Sequence, residues 1–226
     1  MAVNELVSLS TEKIIQHLLR SPRLPWVTEQ FQSVLQAERE KRQYFYAEIS
    51  ETHKAEFING EIVMHSPVKL RHSNASDNLF SLLKAFVHRH GRGYVGHEKI
   101  LVTLTRNDYE PDICFFARNK ADLFTPDQTR FPAPDLVVEI LSDSTAAVDR
   151  GIKFEDYALH GVSEYWIIDP EQESVEQYVL RGDAYELAVK VKRGVISSVA
   201  VSGFEIPVRA IFGPVEQLAA LQAILS

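Results

Sequence analysis

Leu136-Val137-Val138-Glu139-Ile140-Leu141 constrains this chain more than any other stretch. Pro134-Asp135 precedes it and Ser142-Asp143-Ser144-Thr145 follows, so both ends are punctuated by turn or cap residues. A short, β-branched, almost wholly apolar run reads as a strand covered on both faces. A strand of that kind needs a packed layer on each side. Its one carboxylate, Glu139, is then buried, which is costly unless the group is paired or metal-bound.

The rest of the chain supplies the layers. Residues 11–19 read as a helix capped by Ser10 or Thr11, broken by Pro22 and Pro25. Residues 28–47 form a polar helical stretch with apolar spacing at Phe31, Val34 and Leu35. Residues 1–50 are therefore expected to be an N-terminal helical extension without candidate chemistry, and 51–226 the main domain. Asn59-Gly60 predicts a type I′ hairpin turn within 55–64. Leu79, Leu82, Leu83, Phe86 and Val87 give a buried stripe to a helix over 73–90, which Gly91 and Gly93 end. Strands are expected at 94–96, 100–104 and 112–116, followed by a loop over 117–133. A helix over 146–159, a buried strand over 165–168, a hairpin (175–180 with 185–189) and a terminal helix over 215–225 complete the reading. The order predicts an α/β fold, a central mixed sheet flanked by helices.

Composition excludes several classes. With 226 residues, 45% hydrophobic and 24% charged, the chain is a globular protein with a sizeable core. A single cysteine, Cys114, excludes an internal disulfide framework and suits a reducing cytosol. The first residues lack the basic start and apolar core of a signal peptide, and no apolar run approaches the ~18 residues of a membrane span. A cytoplasmic protein with no membrane partner is expected. The net charge of −7 argues against a surface coated for nucleic acid. Yet between Lys69 and Lys99 six Lys/Arg face two acids, a local excess that suits either a solvated helix face or a phosphate backbone.

The acids suggest a chemistry. Mg²⁺ takes oxygen ligands at ~2.1 Å and keeps several waters, so a protein offers it few carboxylates. Asp112 and Glu139 meet that demand if their strands are neighbours, ~4.8 Å apart. Asp135 is a weaker partner, since four residues at ~3.3 Å each separate it from Glu139 by ~13 Å along one strand. It reads as a structural strand start.

One ordered series resembles a known family. Pro111-Asp112, Pro134-Asp135-Leu-Val-Val-Glu139-Ile-Leu-Ser142, Asp149, Lys153, Tyr157 and Gly161-Val-Ser-Glu-Tyr-Trp-Ile-Ile-Asp-Pro170 are similar to the Uma-type restriction endonucleases of the PD-(D/E)XK nuclease superfamily. The hairpin Glu56-Phe-Ile-Asn-Gly60-Glu61 and His72 are similar too. The resemblance covers about residues 56–178. It implies a restriction-endonuclease-like core and a Mg²⁺- or Mn²⁺-dependent DNA endonuclease. Asp112 and Glu139 would be metal ligands, with Glu56, the upstream acid, as a third metal ligand assisting them and His72 and Tyr157 lining the site. The superfamily pattern places a lysine two residues after the second acid, where this chain has Leu141. The resemblance implies that the lysine has moved to Lys153 on the following helix. Asp149, Lys153 and Tyr157 share a helix face at i, i+4, i+8, a spacing that a surface ion pair would also show. Cutting both strands often uses two sites, which points to a homodimer.

Other motifs fall away. Gly91-Arg92-Gly93-Tyr94-Val95-Gly96 spells a dinucleotide fingerprint, but a helix precedes it and strands follow, the reverse of what that fingerprint needs. His88 and His90 at a helix end do not converge with His97 on one zinc face. Cys114 reads as a small buried hydrophobe. Two rival functions stay open. One is a non-catalytic nuclease-fold binding module, motivated by Leu141 and the acidic net charge. The other is a metal-dependent hydrolase of RNA or another phosphodiester.

Overall fold

The computed structural model describes residues 11–49 and 54–226. The expected Ser10 cap and the expected domain boundary after residue 50 fall outside them. The described residues divide into two compact units, 11–49 with 59–61, and 54–58 with 62–226.

The first unit contains helices α1 (Thr11–Leu19) and α2 (Leu24–Glu48). Helix α2 begins four residues earlier than its apolar spacing predicts. Pro25 sits in its first turn, where a missing N–H removes no helical hydrogen bond. Trp26, Phe31 and Val34 remain exposed on it.

The predicted hairpin is present as β1 (Ala55–Ile58) and β2 (Glu61–Met64). Asn59 and Gly60 take φ of 51° and 81°, the two left-handed positions a type I′ turn requires. Helix α3 (Leu70–His90) starts three residues earlier than predicted, so His72 lies in its first turn. It closes on Gly91 in the left-handed conformation. Strands β3 (Gly93–His97), β4 (Leu101–Thr103), β5 (Asp108–Tyr109) and β6 (Ile113–Ala117) follow. Within the stretch expected to be a loop, the chain forms a short helix α4 (Arg118–Ala121) and strand β7 (Arg130–Phe131). Like β5, these are too short to show a period. Next come β8 (Leu136–Ile140), helices α5 (Ala146–Asp149) and α6 (Ile152–Leu159), and strands β9 (Glu164–Asp169), β10 (Ser174–Arg181) and β11 (Ala184–Val191). Strands β12 (Val195–Ser197) and β13 (Glu205–Pro207), a 3₁₀ turn (Val208–Ile211) and helix α7 (Pro214–Leu225) end the chain. The single helix expected over 146–159 is two, separated at Arg150-Gly151.

The main sheet runs β11-β10-β9-β8-β6-β3. Strand β8 is parallel to β9 and antiparallel to β6. Every residue of β8 is buried, as its unbroken apolar run requires. Burying Val137 and Val138 stabilises the fold by about 1.5–3 kcal/mol each. Alternate residues serve two cores. Leu136, Val138, Ile140 and Trp166 join the stripe of α3 (Leu79, Leu82, Phe86) and the 3₁₀ turn. Cys114, Val137, Tyr165 and Ile167 join Tyr157 of α6, with Val102 and Tyr109 of a second sheet, β2-β1-β5-β4-β7. Glu139 is two residues from Val137, so it faces this second core, as does Asp112, two from Cys114.

Candidate active site

The register pairs Ile113 of β6 with Val138 of β8. One step along each antiparallel strand sets Asp112 opposite Glu139. Side chains so placed have Cβ atoms about 4.5–5.5 Å apart. The two acids are therefore neighbours at the end of the central ladder. Both are buried, at 5% and 2% exposure.

Each is held by specific partners. One Asp112 oxygen accepts the Ile140 N–H at 2.8 Å and lies 3.3 Å from His72 Nε2. The other accepts from Lys54 Nζ at 2.8 Å. Glu139 Oε1 lies 3.1 Å from Lys153 Nζ. The same ammonium is 2.9 Å from Glu56 Oε1 and 3.3 Å from Asp149 Oδ1. Helix α6 packs on the face of the sheet that carries Glu139. A lysine on that helix thus reaches the acid, while Leu141 packs as an apolar neighbour of the second core. Glu56 also accepts the Glu110 N–H at 2.9 Å, and its other oxygen is 3.1 Å from His65 Nε2. That histidine contact has ion-pair distance without hydrogen-bond alignment, because both atoms lack a hydrogen-bond partner.

Five of the six residues singled out from the sequence thus form one connected cluster: Glu56, His72, Asp112, Glu139 and Lys153. A cavity of about 320 Å³ opens onto it, lined by Lys54, His72, Asp112, Glu139, Asp149 and Lys153 among others. Glu56 does not line this cavity and lies behind Lys153. Tyr157 does not line it either. Its ring packs 5.2 Å from Tyr109 in the second core, with its hydroxyl buried and unbonded. Asp135 stands apart, bonded to the Ala117 N–H and to Lys120 at the start of β8.

Sequence reasoning missed Lys54 and His65. Lys54 is two residues before Glu56 and could have been found by strand alternation, which puts i and i+2 on one side. Nothing local marks His65, which comes into place through the return strand of the hairpin.

The electrostatics follow from burial. Four buried carboxylates (Glu56, Asp112, Glu139, Asp149) meet two lysines, buried Lys153 and half-buried Lys54. Burial alone would raise every acid, but partners reverse this for two of them. Lys153 and the His65 contact bring Glu56 down to about 2. The His72 contact and Lys54 hold Asp112 below the usual carboxylate range. Glu139 is raised well above it, by burial and by Asp149, Asp112 and Glu56 together, against the pull of Lys153. Burial opposes the charge of Lys153, but its three carboxylates outweigh that and raise it. The cluster is short of positive charge.

A divalent ion fits that shortage. The donors are hard carboxylate oxygens, and Asp149 Oδ1 is buried without a hydrogen bond. Among the described residues no three His, Cys, Asp or Glu side chains already converge on one point. Two opposed carboxylates plus waters is nonetheless the donor set that Mg²⁺ commonly uses.

The Uma2 family model, described as "Putative restriction endonuclease", matches residues 41–209. An uncharacterized protein of Synechocystis sp., sll1609, is 30% identical over 144 residues, 62% of this chain and 80% of the relative. A crystal structure described as "a putative nuclease belonging to DUF820", from Anabaena variabilis, matches with a TM-score of 0.64 at 19% identity. That match covers 78% of this chain and 96% of the other, and it shows a shared fold. No helix among the described residues is long and apolar enough to cross a membrane. The family match spans well over half the chain and every member of the acid cluster: the chain belongs to the Uma2 family, described as putative restriction endonucleases.

Proposed function

We propose that this chain is a Mg²⁺- or Mn²⁺-dependent DNA endonuclease of the cytoplasm. The observation that carries this reading is the pairing of Asp112 with Glu139 across the β6–β8 ladder, at the wall of a cavity where carboxylates outnumber lysines. Asp112 and Glu139 would hold the ion. A bound divalent ion supplies a water of lowered pKa as nucleophile and offsets charge on the phosphate. His72 and the Ile140 N–H fix the Asp112 carboxylate. Lys153 fixes Glu139, and Glu56 positions Lys153 from behind. Lys54, on the open side of Asp112, faces the space a scissile phosphate would enter. The single buried Cys114 suits a reducing compartment. One site per chain and two strands to cut call for two copies, so a homodimer belongs to the reading.

Supercoiled plasmid incubated with Mg²⁺ or Mn²⁺ tests it. Wild type should nick or linearise the plasmid, and Asp112→Asn or Glu139→Gln should lower the rate at least about 100-fold, as expected when a charge-stabilising group is removed. Equal cleavage by wild type and variants would sink the reading, as would no cleavage with either metal. A duplex RNA substrate run alongside separates DNA from RNA hydrolysis.

A second reading has its own support. Lys54 and Lys153 already sit on Asp112 and Glu139, which is how a non-catalytic binding module would neutralise retired acids. Calorimetric titration with Mn²⁺ separates the two, since such a module should give no binding heat.

A further inference from the structure

Beside the acid cavity lies a second one, of about 290 Å³. The two share Ser66, Pro67, Val68, His72, Ser142 and Ser144, so they form one continuous groove. The second cavity lies where the parallel strands β8 and β9 end, between Leu141–Ser144 and Asp169–Glu171. Crevices outside the carboxyl ends of parallel strands are the usual ligand seat in α/β sheets. Lys69 and Arg71 line it. Of the six basic residues between positions 69 and 99, these two are the ones that reach the groove.

Their partners are informative. Lys69 Nζ is 2.6 Å from Asp143, and Arg71 is 3.4 Å from Glu171. All four side chains are largely exposed. Exposed ion pairs hold weakly and are screened by salt, so the cations are readily exchanged to a better anion. Lys69 is also the N-cap of the 21-residue helix α3 and makes no side-chain cap hydrogen bond. The positive end of that helix therefore adds to the two cations. His72, one wall of both cavities, has a buried Nδ1 with no hydrogen-bond partner.

We propose that this second cavity is the seat of a DNA backbone phosphate flanking the scissile one. Asp143 and Glu171 act as placeholders that Lys69 and Arg71 leave when the phosphate arrives. A carboxylate and a phosphate present similar charge and acceptor geometry to these donors, with Arg the better fork for either. The groove then runs from a cationic subsite to the acid pair, an arrangement that reconciles a chain of net charge −7 with a polyanionic substrate. This inference rests on the nuclease reading and deepens it.

The test uses the full chain with EDTA present, a fluorescein-labelled DNA duplex and fluorescence anisotropy across a salt series. The double variant Lys69→Ala/Arg71→Ala should bind about 10–100-fold more weakly. Its slope of log affinity against log salt should be shallower by about 1, since one phosphate contact contributes about 0.9. The double variant Asp143→Asn/Glu171→Gln should bind several-fold more tightly. Unchanged affinity and slope in both double variants would overturn the subsite. If wild type binds no DNA here yet cleaves it with Mg²⁺ or Mn²⁺, the subsite falls and the nuclease reading stands; if it does neither, both fall. If wild type binds and cleaves while every variant matches it, only the subsite falls. Binding of duplex RNA but not DNA, sensitive to the same pairs, would overturn the DNA assignment. All four positions are exposed, and matching thermal melts confirm that the variants fold.

Discussion

Lys153 and Lys54 bring the same charge to the same acids under opposite constraints. Lys153 is 2% exposed and touches three carboxylates, so it is a fixed counter-ion. Removing it as Lys153→Met leaves Glu56, Glu139 and Asp149 facing one another. That should cost about 3–5 kcal/mol, readable as a lower urea midpoint. Lys54 is 23% exposed and holds only Asp112, which keeps two other partners. Lys54→Met should cost far less, about 1 kcal/mol. It should also tighten Mn²⁺ binding several-fold by calorimetry, because no ammonium then competes for the carboxylate. Weaker Mn²⁺ binding in Lys54→Met would mean that Lys54 supports the ion instead of displacing it. Leu141 is legible at the same scale. The strand carries Leu141, and the lysine that reaches Glu139 arrives from the facing helix; the sequence shows both residues but not the distance between them.

The break between α5 and α6 shows what an element does with a sequence that reads as continuous helix. A Cβ on Gly151 would come within 2.8 Å of the Ala147 carbonyl oxygen, so the close turn needs glycine there. The i, i+4 relation survives the break, since Asp149 and Lys153 still meet. Arg150, inside the turn, is fastened by two hydrogen bonds to Glu176 of β10, at 2.6 and 3.1 Å. Tyr178 and Lys190 also reach Glu176, at 2.7 and 2.8 Å. This clamp fixes the turn that carries Asp149 on one side and Lys153 on the other. The Arg150 bonds, opposed by burial and helped by Lys190 and Tyr178, bring Glu176 to about 2 from its ordinary 4.5. A carboxylate lowered by folding contributes stability that is complete above the unfolded value and is lost as pH falls through the folded one. Wild type should therefore lose stability between about pH 4.5 and 2, and Glu176→Gln should flatten the fall of Tm over that window. An unchanged pH profile would show that the clamp does not hold in solution.

Across the whole second unit, the two faces of the central sheet are given separate tasks. The face towards α6 carries the acid cluster. The opposite face carries another buried carboxylate, Glu164, which accepts from Trp166 Nε1 (2.7 Å), Gln177 Nε2 (2.5 Å), Ser198 Oγ (2.6 Å) and the Ala200 N–H (2.7 Å). These bonds tie β9, β10 and the 198–200 segment together. Glu164→Ala would leave buried donors unsatisfied. It should cost at least about 3 kcal/mol while leaving Mn²⁺ affinity unchanged. A shift in both would show that the two faces are coupled. Much of this fold was legible locally. The unbroken apolar run of β8, the Asn59-Gly60 turn, the stripe of α3 and the acid types at 112 and 139 all follow from short-range periodicity and turn chemistry. The rest was not, because it depends on which strands become neighbours. Lys54 and Asp112 are 58 positions apart, and Lys153 and Glu139 are 14 apart. The sequence by itself determined that β8 must be covered on both faces and that a carboxylate within it must find a cation. Only the tertiary structure decided which cations, because sheet order and helix placement are set by the burial of both faces at once, and no local pattern encodes that.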